Sequence, residues 1–182
     1  MPLATKSKVL GLNDMVINEL NTDTSSTLNY GAAVDIPGVT KLTLTPNYVE
    51  KELRGDEALL DTYQRLASIE FSFEHAIVSL EALKIITGGT LTAGGTTGSL
   101  TQTLNISSSS LAKYFKLQGK VIYSDFSGGD VWLTLYKCKG QFKIEFQTEE
   151  YASISCSGKA IGTIKDGKIF DLVFRETTSA LS

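Results

Sequence analysis

Residues 40–73 read TKLTLTPNYVEKELRGDEALLDTYQRLASIEFSF. Leu42 and Leu44 alternate with Lys41, Thr43 and Thr45; Ile69, Phe71 and Phe73 alternate with Ser68, Glu70 and Ser72. This period of two describes strands that bury one face and wet the other. Two strand candidates, TKLTLTPNYVEKEL and LLDTYQRLASIEFSF, flank the charged tip Arg54-Gly55-Asp56-Glu57. Together they predict a hairpin far longer than the usual strand of about 5–6 residues. Its outer part is too polar to be buried within a 182-residue chain. An arm of that kind is expected to pair with something beyond its own domain.

The same alternation recurs on both sides of the hairpin. Leu100, Gln102, Leu104 and Ile106 share a side opposite Thr101, Thr103 and Asn105; Val131, Leu133 and Leu135 alternate with Trp132, Thr134 and Tyr136. Phe142, Ile144 and Phe146 oppose Lys143, Glu145 and Gln147, and Phe170, Leu172 and Phe174 oppose Asp171, Val173 and Arg175. One helix is expected at 76–87, with Ile77, Leu80, Leu83, Ile85 and Ile86 on a wide apolar stripe and Gly88-Gly89 as its stop. Strands and helices do not alternate, which excludes a doubly wound α/β fold. The expected fold is mainly β: a single domain over 1–182, an antiparallel β-sandwich or barrel with one flanking α-helix and a long β-hairpin arm. The Gly/Thr-rich stretch 88–99 and the serines 107–110 are expected to be flexible loops. SDFSGGD (124–130) and KDGK (165–168) are expected to be hairpin turns, the latter on its Asp166-Gly167 pair.

Composition narrows the function. A hydrophobic fraction of 42% and a charged fraction of 20% suit a folded protein. Seventeen Lys and Arg against 20 Asp and Glu give a net charge of −3, without the basic excess that tight nucleic-acid binding requires. The first 20 residues lack the continuous apolar run of a signal peptide, being broken by Asn13, Asp14, Asn18 and Glu19. Ala76–Ile86 is about half a membrane span and contains Glu81 and Lys84. Neither export nor membrane insertion is expected, so the sequon Asn105-Ile106-Ser107 carries no weight, and Cys138 and Cys156 are expected to be reduced, buried thiols.

The motifs of common enzymes are missing. The sequence has no G-x-S-x-G elbow, C-x-x-C pair, H-E-x-x-H run or phosphate loop. Its one histidine, His75, sits where a strand becomes a helix and is expected to be a surface or end-of-element residue. Glu149-Glu150 and the trio Asp56, Glu57 and Asp61 are carboxylate clusters, read as solvated loop and rim positions. Trp132 and Tyr136 are either a stacking platform for a sugar or partner, or part of a second buried face. Catalysis, cofactors and metals are not expected.

Taken together, GLNDMVINEL, TDTSSTLNYG, IPGVTKLTLTP, the charged-tipped hairpin ending in IEFSF, EALKIITGG and FKLQGKVIYS…VWLTLYKCKGQFKIEFQTEEYASISCSG resemble the tail tube proteins (major tail proteins) of bacteriophages, over most of residues 8–176. The resemblance implies a virion structural protein, assembled in the host cytoplasm, whose subunits form six-membered rings. The long hairpins would join edge to edge as an inner β-barrel, and the rings would stack into a hollow tube that conducts double-stranded DNA without specific binding. It also implies a tape-measure protein, tail terminator and distal tail proteins as partners, with a sheath where the tail is contractile.

On that footing Thr43, Thr45, Ser68, Glu70 and Ser72 are expected to line the lumen as a neutral-to-acidic surface, which Lys41, Lys51, Arg54 and Arg65 complicate. Glu50, Lys51, Glu52, Arg54, Asp56, Glu57, Asp23 and Tyr30 are expected at contacts between subunits or rings. The loop 21–33 and the tail 177–182 are expected to order only on assembly. Related tubes of type VI secretion and pyocin-like particles would carry the same features. A carbohydrate-binding β-sandwich using Trp132, Tyr136 and Tyr123 is the alternative from another class, and a small hydrolase a remote fourth reading.

Overall fold

The computed structural model describes residues 11–54, 59–123, 129–146, 148 and 153–181. Strands β1 (Asp14–Asp23), β2 (Leu28–Asp35), β3 (Val39–Arg54) and β4 (Leu59–His75) precede helix α1 (Leu80–Thr87); β5 (Thr90–Thr96), β6 (Ser99–Asn105), β7 (Phe115–Ile122), β8 (Asp130–Glu145), β9 (Ser153–Ala160) and β10 (Phe170–Arg175) follow. An eight-stranded antiparallel sheet has the order β2-β1-β7-β8-β9-β4-β3, with β10 also on β8; β5 and β6 form a separate two-stranded ribbon. The mainly β architecture with one short helix agrees with the sequence.

Strand β8 joins the two halves of the large sheet. Its first part pairs with β7 on one edge and β10 on the other, while Cys138–Glu145 pairs with β9. Cys138 is opposite both Phe115 and Ala160, so β9 lies on the edge away from β7. The sheet also folds over itself. Phe71 of β4 meets Phe115 of β7 edge to face at 6.0 Å, although β8 and β9 separate these strands in the ladder. Met15, Ile17, Phe73, Leu117, Leu135, Cys156 and Ala160 fill the space between the halves. Alternation thus places apolar side chains from both halves in one core. Gly158 makes this possible at one point, since a Cβ there would lie 2.8 Å from the Phe71 ring and 2.2 Å from Lys139 O.

Helix α1 closes the core with Ala82, Leu83, Ile85 and Ile86. It begins four residues later than the apolar stripe suggests. Ser79 is the N-cap, its hydroxyl accepting from Ala82 N at 3.3 Å. Ala76 N bonds Gly38 O, and Ile77 and Val78 are exposed. The expected stop is present: Gly88 is left-handed at φ 69° and donates its N–H to Lys84 O.

Several expected loops are structured. The Gly/Thr stretch 88–99 is not a flexible loop but most of ribbon β5–β6, closed by Thr96 opposite Ser99, because its threonines favour strand and its glycines supply the turn. Residues 21–33 belong to the β1–β2 hairpin, whose turn is tied by Thr24 N to Thr27 O and Thr27 N to the Thr24 hydroxyl. The Asp166-Gly167 pair does mark a turn, with Gly167 N bonded to Thr163 O at 3.0 Å. It is no hairpin turn, however, because β9 and β10 pair with successive parts of β8 and not with each other. Of the expected 124–130 turn, residues 124–128 lie outside the described residues.

Candidate assembly surface

The hairpin β3–β4 is paired along its described length, with register shifts at Val39/Lys41, Asn47/Tyr48 and Leu53/Arg54. Thr43 is opposite Ser72, Thr45 opposite Glu70 and Asn47 opposite Ser68. The five expected lining residues therefore share the face turned away from the core, where Leu42, Leu44, Phe71 and Phe73 occupy the other side. Neighbouring strands extend this face. Ser72 is opposite Ser157 and Glu70 opposite Lys159 on β9; Ser157 and Lys159 are opposite Gln141 and Lys139 on β8. A groove of about 620 Å³ runs across these four strands.

Lys139, Gln141, Ser157 and Lys159 were not part of the expected lining. Period-two alternation in β8 and β9 marks them as outward residues, but only the β3-β4-β9-β8 order puts them beside Thr45 and Glu70. They also change its charge: the face is not neutral-to-acidic, since Lys139, Lys143 and Lys159 join Lys41 on it. Much of that charge is compensated locally. Lys159 Nζ lies 3.1 Å from Glu70, Lys143 is paired with Glu145, and Lys41 is the register partner of Glu74. Hydrogen bonds from Lys159, and then from Asn47, hold the Glu70 carboxyl below its ordinary pKa and keep it ionised. The surface is polar and nearly balanced in charge.

Beyond Asn47 the hairpin leaves the body. One face continues as Tyr48/Leu66, Glu50/Gln64 and Glu52/Thr62; the other as Val49/Arg65, Lys51/Tyr63 and Leu53/Asp61. Tyr48, Leu53 and Tyr63 are exposed, as are Glu50, Lys51, Glu52 and Arg54. Gln64 donates to Glu50 at 2.6 Å, and Arg54 pairs with Glu52. Asp56 and Glu57 lie outside the described residues, as does the Glu149-Glu150 pair. The free edge of β3 has no strand partner among the described residues; nor does the edge of β8 over 139–145 that faces away from β9. Pro46 lacks an N–H, so a strand added beside β3 would bond in two stretches on either side of it.

Asp23 and Tyr30 are engaged within the subunit. Asp23 forms a 2.6 Å ion pair with Lys137, and their side chains are only 5% and 10% exposed. It also accepts from Ile164 N and Lys165 N, fastening the 161–169 segment over the β1–β2 hairpin. Burial disfavours its charge, but the Lys137 hydrogen bond and the backbone donors outweigh this and lower its pKa. Tyr30 donates to Tyr136 O at 2.9 Å, and Lys116 lies over its ring. Burial, followed by the nearby Asp23 charge, raises its pKa.

The other candidates also take structural roles. His75 is not a surface residue: it is buried at the end of β4, with Nδ1 2.8 Å from Ile77 O, and burial lowers its pKa. Trp132 has the Arg175 guanidinium 4.3 Å from its ring centre, and Lys168 lies over Tyr136. Tyr123 is buried. Those rings do not form an open stacking platform. Cys138 and Cys156 are free and buried, and burial pushes the Cys156 thiol up to about 12. The tail does not wait for assembly to order: Thr178 Oγ1 and Ser179 N both donate to the fully buried Asp130, and Lys120 donates to Ser179 O. Ser182 lies outside the described residues.

No family model matches the chain, and no curated protein matches it.

Proposed function

We propose that the protein is a structural subunit of a bacteriophage tail tube, forming six-membered rings that stack into a hollow conduit for the genome. The observation that carries this reading is the four-stranded module β8-β9-β4-β3. It has an unpaired edge at each end among the described residues and a polar, charge-compensated face. Pairing the β3 edge of one subunit with the 139–145 edge of β8 in the next would extend the sheet without limit or close it into a barrel, removing both edges. The face with Thr43, Thr45, Glu70, Ser72, Ser157 and Lys159 would then line the lumen. Each lysine beside a carboxylate offers little net attraction to a passing phosphate backbone, which suits transit without adhesion.

The arm beyond Asn47 would bury Tyr48, Leu53 and Tyr63 against neighbouring subunits, with its ion-paired tip at ring-to-ring contacts. Tape-measure, terminator and distal proteins would bound the tube, since head-to-tail stacking alone sets no length. The same geometry would serve a secretion or pyocin-like tube. A carbohydrate-binding role is disfavoured by the cations over Trp132 and Tyr136.

Negative-stain electron microscopy of the purified chain over a range of concentrations tests this. Hollow tubes or six-fold rings are expected. A chain that stays free of rings and tubes at every concentration, and does not enter tubes seeded with tail-initiation proteins, would overturn the proposal.

A further inference from the structure

The ribbon β5–β6 has no part in the reading above. It is a two-stranded sheet with no third strand among the described residues. From Gly88 to Ala112 the sequence contains no Asp, Glu, Lys, Arg or Pro. Edge strands of soluble proteins are ordinarily guarded by charges, prolines or bulges. Such guards are present elsewhere: β3 carries Lys41, Pro46, Lys51 and Arg54, and β2 shifts register at Gly31-Ala32. Strand β5 is made irregular by Gly94 and by Gly95 at φ 87°. Among the edge strands of the described residues, β6 alone is regular, free of glycine and unguarded.

The centre of β6 reads Leu100-Thr101-Gln102-Thr103-Leu104, the same in both directions. The geometry points to β6 as a self-association edge, pairing antiparallel with β6 of a second copy about a two-fold axis at Gln102. In that register Leu100 lies opposite the second copy's Leu104, Thr101 opposite its Thr103, and Gln102 opposite its own equivalent. Like residues thus meet at every position across an isologous contact, in which residue i meets j and j meets i. Leu100 is 79% exposed and its partner on β5 is Gly95, which gives it nothing to pack on. The second copy's Leu104 supplies that contact, and the Thr pairs add cross-strand support.

Two chains of net charge −3 repel, and this uncharged ribbon is a surface on which approach costs least. A strand pair of seven residues buries far less than the ~800 Å² per partner of a standard interface, so the dimer is weak and concentration-dependent. It is also closed. It stops at two copies, unlike the open contacts of a tube, and holds free chains in pairs.

Sedimentation velocity over a range of concentrations tests this. The wild-type chain should show a reversible dimer. The double variant Thr101→Lys/Thr103→Lys sets lysine against lysine in the paired strands and should weaken self-association about tenfold or more. The matching Thr101→Glu/Thr103→Glu variant should do the same alone, and mixing the two should restore dimers. That rescue excludes misfolding as the cause. Gln102→Cys should give an oxidised covalent dimer, with Thr92→Cys on β5 as a control that does not. A dimer that persists in both charged variants, no recovery on mixing, or cross-linking by Gln102→Cys no greater than by Thr92→Cys would overturn the inference. Tubes are read by microscopy and the dimer by sedimentation, so either proposal can fail alone.

Discussion

Along the β3–β4 hairpin, Ile69–His75 pairs with β9 and, with Val39–Leu44, turns apolar side chains onto the core, whereas Tyr48–Arg54 and Leu59–Arg65 pair only with each other among the described residues. Both parts are antiparallel ladders made of the same two strands. The inner part places Phe71 and Phe73 in the core, and the outer part exposes Tyr48, Leu53, Leu60 and Tyr63. Strand propensity alone does not distinguish them; the third strand and the buried face do. The same contrast holds for ion pairs. Lys137–Asp23 in the body and Arg54–Glu52 on the arm have equal N–O distances of 2.6 Å, but the first pair is buried and the second has 74% and 45% of its side chains exposed.

Substitutions should separate the two regions in unfolding by urea. Phe71→Ala should cost about 3–5 kcal/mol through the cavity it leaves, whereas Tyr63→Ala should stay within about 0.5 kcal/mol. Equal costs would show that the arm is packed in solution. Lys137→Met should cost about 3–5 kcal/mol because it strands the buried Asp23 carboxylate, against less than about 1 kcal/mol for Arg54→Ala.

Acidity should act on the body. The folded pKa of His75 lies below the ordinary value of about 6.5, so its contribution is complete above that pH and falls as the unfolded chain takes up a proton that the folded chain resists. Between pH 7 and 5.5 this should appear as a fall in Tm that His75→Gln flattens. The lowered pKa of Asp23 gives the same sign below about pH 4. An unchanged pH slope in His75→Gln would show that its ring is hydrated. Replacing residues 48–65 with an Asn-Gly turn leaves Leu66 on the core and should also change stability little, by less than about 1 kcal/mol by urea. Microscopy of the same variant should show no rings or tubes, and intact tubes would exclude the arm from assembly.

Alternation made β3, β4 and β8 legible because each buries one face, and Gly88 marked the end of α1 because its left-handed backbone favours glycine. Strand β5 was hidden by composition: its glycines read as a loop, although its threonines pair with β6, whose alternation over Leu100–Ile106 was legible. Half of the polar face was legible from the hairpin. Lys159 and Gln141 were not, since alternation tells which side a residue occupies but not which strand comes next. Asp23 looked like a surface residue within a Thr/Ser-rich turn. Its burial is caused by Ile164 and Lys165, about 140 positions away, and no local pattern reports such a contact.

The central place of β8 also sets the order in which the chain can fold. The β7-β8-β9 meander joins near neighbours, but β1 must find β7 about 100 residues later, and β4 must find β9 about 85 residues later. Such closures are slow relative to local hairpins. During synthesis the β3–β4 hairpin emerges first, and β9 follows it by about 80 residues. At ~5–20 residues per second that interval is on the order of ten seconds. Throughout it β4 lacks its β9 partner, and until β7 is made Phe71 also lacks the Phe115 ring it meets, so the hairpin proposed for assembly waits on the ribosome with an edge and an apolar face uncovered.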